Sequence, residues 1–163
     1  MATRSTISIV DVRTKDGKGK QIYSHWDGYP SHNGKILLEH YQDAEKVRAL
    51  IELGNISSLE ENVAPLKTGN KRNWDSEIKD YVLTPTTVPH SFEEPHSGVV
   101  VAYMRDRGET DQEAKTFQGK SPDKKYSEEY DYLFVESEKQ WYVRDNHKSR
   151  PVFVKLTEKM CKD

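Results

Sequence analysis

Cysteine is almost absent: Cys161 is the only one. One thiol permits no intrachain disulfide and no cysteine-based zinc site, and it fits a reducing compartment. Long apolar runs are missing too. None approaches the roughly 20 residues of a membrane-spanning helix, and no signal-peptide core follows the first residues. Charge of either sign is not in excess, since the formal net charge is −2. A non-specific nucleic-acid binder carries a strongly basic face, so that class is disfavoured. There is no G-x-S-x-G elbow, P-loop or G-x-G-x-x-G, and no internal repeat. These absences predict a cytoplasmic protein with no membrane partner and no standard nucleotide fold.

What remains is 163 residues, 34% hydrophobic and 32% charged. That length suits one domain, but the apolar share is thin, so many residues belong in solvated loops. Charge is unevenly spread. Arg4, Arg13, Lys15, Lys18 and Lys20 make a basic edge, and residues 108–136 carry eight acids against four lysines. Either edge is a candidate steering surface.

Residues 5–11, STISIVD, and 21–26, QIYSHW, read as a β-hairpin around a basic loop at 12–20. Asp27-Gly28, Pro30 and Asn33-Gly34 then punctuate a turn, with a positive φ expected at Gly28. From Lys35 the period becomes helical. Asp43 is a natural N-cap for a further helix, AEKVRALIELG, and Gly54 stands where a left-handed C-terminal residue belongs. Two packed helices are preferred to one kinked helix. Ile56–Leu59 reads as the start of a short helical turn.

Residues 61–97 read as a polar excursion with one helical turn near Trp74–Tyr81, and 110–129 as another. Between them VVVAYM, 99–104, predicts a central strand covered on both faces. Residues 130–135 and 140–144 predict an aromatic hairpin around ESEK, and 151–156 a last edge strand. The layout predicts an α+β fold in a single domain, 1–163: a mainly antiparallel sheet of about 5–6 strands with two or three helices packed on one face.

Chemistry concentrates in two places. His25, Trp26, Asp27 and Tyr29 lie at the first turn. If His25 and Asp27 share a strand face, the carboxylate orients the ring as an acid–base pair. With His32 and His40 they form a candidate metal group, though the spacing fits no zinc pattern. The plainer alternative is that they hydrogen-bond the turn. Arg105 and Arg107, with Glu109, follow the expected central strand. On a strand both guanidinium groups share one face and suit an anion such as a nucleotide phosphate; the alternative is a salt-bridge network with Asp106 and Glu109. The candidate ligand-binding set is therefore His25, Trp26, Asp27, Tyr29, Arg105, Arg107 and Glu109. No catalytic residue, resident metal or cofactor is assigned.

Ala2–Ile7, Tyr23, His25–Pro30, Gly34 and Leu37–Tyr41, with Leu50–Leu59, Arg105–Glu109 and Tyr130–Phe134, together resemble a family of small accessory proteins of bacteriophages and prophages. The resemblance implies a protein made inside a bacterial host cell. It carries over no catalytic residue. It implies a non-enzymatic binder or inhibitor of a host factor, in counter-defence, with a host protein as partner. The alternatives are a small-ligand binder that sequesters a nucleotide, and a metal-dependent or His/Asp hydrolase. An oligomer is compatible with all three.

Overall fold

The computed structural model describes residues 2–10, 18–64, 69–86, 90–93, 95, 97–118, 122 and 127–162, with the backbone alone at 18, 69–71 and 84–86. Among these the architecture is mixed α+β, with a large, mainly antiparallel sheet and three α-helices. Of the basic loop expected at 12–20, residues 18–20 are strand, and the rest lies outside the described residues, as do parts of both polar excursions.

Two hairpins supply the sheet's middle. β1 (Ser5–Val10) pairs antiparallel with β2 (Lys18–Ser24), Ile7 opposite Ile22. Near the chain's end β8 (Tyr130–Val135) pairs antiparallel with β9 (Gln140–Asp145), Phe134 opposite Trp141. β1 joins the two by pairing parallel with β8, Ile7 opposite Tyr132. Both hairpins follow the sequence reading, although β2 runs Lys18–Ser24 rather than 21–26; β1 and β8 are rich in β-branched and aromatic residues and are buried on both faces.

The outer strands are short. β3 (Ile56–Ser58) continues from β2 and carries β6 (Val101–Ala102) at its far side. β7 (Lys115–Gln118) lies against the first half of β2, and β10 (Val154–Lys155) edges β9. The large sheet thus has eight strands among the described residues, not 5–6. The difference comes from two- to four-residue pairings too brief to show alternation. Ile56 opens a strand rather than a helical turn. Of VVVAYM, Val99, Val100, Val101 and Ala102 are buried, but only the two-residue edge strand β6 forms before the chain turns helical.

β4 (Gly69–Asp75) and β5 (Asp80–Thr86) form a separate two-stranded hairpin. It replaces the helical turn expected near Trp74–Tyr81.

α1 (Lys35–His40) and α2 (Ala44–Glu52) are distinct helices, as the sequence favours. Asp43 caps α2 by accepting the Glu45 N–H at 3.0 Å, and Gly54 follows with φ +80°. Leu37, Val47, Leu50 and Ile51 bury against Ile7, Ile9, Ile22, Tyr132, Phe134 and Trp141 in one core on one face of the sheet. α3 (Tyr103–Arg107) stands beside β6 and ends at Gly108, φ +74°.

Candidate functional site

The corner after β2 is built by backbone bonds. The His25 and Trp26 N–H groups donate to the Ile56 and Ser57 carbonyls at 3.2 and 3.0 Å, and the Gly28 N–H donates to the Thr3 carbonyl at 2.8 Å. Gly28 is required by this close approach: a Cβ there would lie 2.7 Å from Ser5 Cβ and 2.9 Å from the Thr3 carbonyl oxygen. The expected positive φ falls instead on Asp27, at +55°. Tyr132 Oη donates to the Gly28 carbonyl at 2.6 Å from within the core. A π-helical turn, Pro30–Gly34, leads into α1. Within it the fully buried Asn33 directs Nδ2 at Ser5 Oγ, Ser24 Oγ and the Trp26 carbonyl, at 3.3 to 3.4 Å.

Against this frame the four candidate residues separate. β2 ends at Ser24, so His25 and Asp27 do not share a strand face. His25 Nδ1 is hydrogen-bonded to Tyr23 Oη at 2.6 Å, and its ring meets Trp26 edge-on at 4.7 Å. Asp27 Oδ1 accepts from Tyr29 Oη at 3.2 Å rather than from His25. The carboxylate therefore does not orient the imidazole, and the acid–base pair is not formed. Nearby, burial pushes the Glu60 carboxyl up, with Glu61 and Asp27 adding to the effect and His32 opposing it. Among the described residues, no group of three or more His, Cys, Asp and Glu is placed to hold a metal ion.

The Arg105–Glu109 segment is helical rather than extended. Residues two apart on a helix point to different sides, so Arg105 and Arg107 do not share a face. Arg105 donates to the Val63 carbonyl at 2.6 Å, to the Val100 carbonyl at 2.7 Å and to Asp106 at 2.8 Å. Asp106 reaches back to the Ala102 N–H at 2.7 Å and lies 3.2 Å from His90 Nε2. Arg107 stacks over the Phe92 ring at 4.7 Å and stands 3.6 Å from Glu109. These bonds form the salt-bridge network that was the alternative to anion binding. They fasten residues 90–93 and 63 onto α3. The corner and α3 flank β3: the His25 N–H donates to the Ile56 carbonyl, and Ile56 pairs with Ala102, the residue before α3. The side-chain bonds of His25 and Asp27 have no partner in common with those of Arg105 and Arg107.

The sequence reading missed another feature. Trp74 faces Tyr81, and Arg72 faces Leu83, across β4 and β5. The pleat puts all four on one side. Trp74 is 58% exposed, Tyr81 50% and Leu83 69%. The two rings pack edge-on at 5.2 Å, and the Arg72 guanidinium lies 4.0 Å over Tyr81. Period-2 alternation in R-x-W and Y-x-L was the available signal. It was obscured because apolar side chains are scattered through the polar run 61–97.

No described helix is long and apolar enough to cross a membrane. The chain matches no family model, no curated protein and no solved structure.

Proposed function

We propose that this chain is a non-enzymatic binding protein and that the β4–β5 hairpin is its contact arm. The observation that carries the reading is the aromatic face of that hairpin, with Trp74, Tyr81 and Leu83 each at least half exposed. An isolated two-stranded hairpin is marginal in water, and apolar surface gathered on one side of it is normally covered by a partner. Trp, Tyr and Arg are also the side chains that most often anchor protein interfaces. The tip carries Asp75, Glu77 and Asp80 against Lys79. The matching partner surface is an apolar groove with a basic rim. Together with the resemblance, this supports an accessory protein of phage origin that inhibits a bacterial host protein, in the manner of counter-defence. The hydrolase and nucleotide-sequestering alternatives lose ground, because they needed the His25–Asp27 pair or two convergent arginines.

The test compares the wild-type chain with a Trp74→Ala, Leu83→Ser double variant. Both side chains are exposed, so the melting temperature should stay within a few degrees and the folded-state spectrum should be unchanged. A host protein captured by the wild type and then purified should bind it directly, and the variant at least about 100-fold more weakly, since two anchors of about 1.5 kcal/mol each are lost. Equal binding by the variant would remove the arm from the interface. Failure of the wild type to bind any host protein would remove the function.

A further inference from the structure

On the sheet face turned away from the apolar core, polar side chains are buried. Gln21 faces Ser8 across β1–β2 and Lys115 across β2–β7. Gln21 is 4% exposed, yet its Nε2 has no hydrogen-bond partner; Ser8 Oγ, also buried, has none either. Native folds keep few such groups, and each one calls for a reason. Gln21 lines a cavity of about 270 Å³ together with Thr6, Tyr23, Asn55, Lys115 and Glu128.

The cavity wall is fixed by bonds that do not involve any ligand. Thr6 Oγ1 donates to Asp131 Oδ1 at 2.6 Å. Asn55 is held at both ends: Oδ1 accepts the Tyr23 N–H at 2.9 Å, and Nδ2 donates to Gln112 Oε1 at 2.8 Å. Tyr23 Oη is held by His25. Such a wall needs little reordering to bind.

The chemistry is two-ended. Gln21 and Lys115 are cross-strand neighbours and both line the cavity, so one wall offers an amide donor and an ammonium, groups that receive a carboxylate. Glu128 lies on the same cavity and offers a carboxylate of its own. Burial pushes the Glu128 carboxyl up, with Asp131 and Glu129 adding to the effect and Arg4 and Lys115 opposing it. A desolvated carboxylate of this kind gains most from a cationic partner. The space is on the order of nine water volumes at about 30 Å³ each, which suits about ten non-hydrogen atoms.

We propose that this cavity binds a small zwitterion of free amino-acid size, its carboxylate received by Gln21 and Lys115 and its ammonium by Glu128. A neutral nucleobase also presents donors and acceptors, but a wall carrying both a cation and a carboxylate is matched better by a ligand carrying both charges. The inference does not depend on the β4–β5 arm.

The full chain is titrated with the standard amino acids one at a time, and with adenine, guanine and inorganic phosphate, following the Gln21 side-chain NH2 resonances and the heat of binding. At least one amino acid should shift those resonances saturably. Gln21→Leu should weaken that binding about tenfold, the loss of one charge-assisted hydrogen bond. Glu128→Gln, at a less buried position that spares the fold if Gln21→Leu does not, should weaken it at least as much. The proposal is overturned if no amino acid shifts the Gln21 resonances, if only a nucleobase or phosphate does, or if Glu128→Gln leaves amino-acid binding unchanged.

Discussion

Asp106 shows how a residue that looks functional in sequence is absorbed by the fold. Its carboxylate receives the Ala102 N–H and the Arg105 guanidinium and faces His90. Burial acts to raise its pKa, but the Arg105 bonds, the Ala102 N–H and the charges of Arg105 and His90 outweigh it, and the carboxyl is held below the usual aspartate range. A depressed folded-state pKa contributes stability that is fully present above the unfolded value. That stability is lost as the pH falls through the folded value. The Ala102 amide proton, bonded to the carboxylate, should therefore titrate below the ordinary aspartate value. A midpoint at or above that value would contradict the assignment. Asp106→Ala removes the side-chain acceptor of the Ala102 N–H and one acceptor of Arg105, which keeps the Val63 and Val100 carbonyls, and should cost about 2–3 kcal/mol in denaturant unfolding. At this scale the sequence was informative about residue type but not about role. Arg105–Glu109 was legible as a charged cluster, while the helical turn over Tyr103–Arg107 and the bond from the Ala102 N–H to Asp106 were announced by no local pattern.

The elements were legible in proportion to their length and the regularity of their turns. β1, β2, β8 and β9 run over six or seven residues, and α2 carries its own N-cap and terminating Gly54. β3, β6, β7 and β10 are two to four residues long and exist because a neighbouring strand offers bonds. β4–β5 was missed because its apolar residues are scattered in a polar run, whereas β8–β9, with a similar turn, is dense in aromatic residues. Both hairpins turn through four residues, and the last of each, Lys79 at φ +52° and Lys139 at φ +51°, is left-handed. In β8–β9 the turn is closed by the Glu138 and Lys139 N–H groups bonding to Val135 and Glu136. Lysine is strained in that conformation and glycine is not. Lys139→Gly should raise stability by about 0.5–1 kcal/mol, the relief of strain less the greater chain entropy of glycine. Lys139→Val should lower it. Chemical denaturation of the two variants checks the sign, and a loss of stability in the glycine variant would show that the lysine side chain, rather than the backbone, matters at the turn.

Over the whole molecule, what sequence patterns could not supply is which strands meet. The Gln21, Lys115 and Glu128 constellation spans more than a hundred residues, and β7 and β8 bring it together only after pairing with β2 and β1. β1 depends on the same topology. Its hairpin with β2 closes locally, but the parallel pairing with β8 joins residues such as Thr6 and Asp131, 125 apart. Closing that span costs about 2 kcal/mol more chain entropy than closing the hairpin. The return is the core itself, because Tyr132, Phe134 and Trp141 complete the cluster around Ile7, Ile9 and Ile22. The buried Asp131–Arg144 pair, with Arg144 Nη2 2.8 Å from Asp131 Oδ2, forms on the opposite face. A fragment of residues 1–118 keeps both core helices but lacks β8, β9 and these aromatic residues, so it should show no cooperative thermal transition. Adding residues 127–163 as a separate chain should restore one, at a midpoint that rises with concentration, since closure then becomes an association. A cooperative transition in the 1–118 fragment alone would mean that the hairpin and helices form a core without β8, and that the parallel β1–β8 pairing is an addition to the fold rather than its condition.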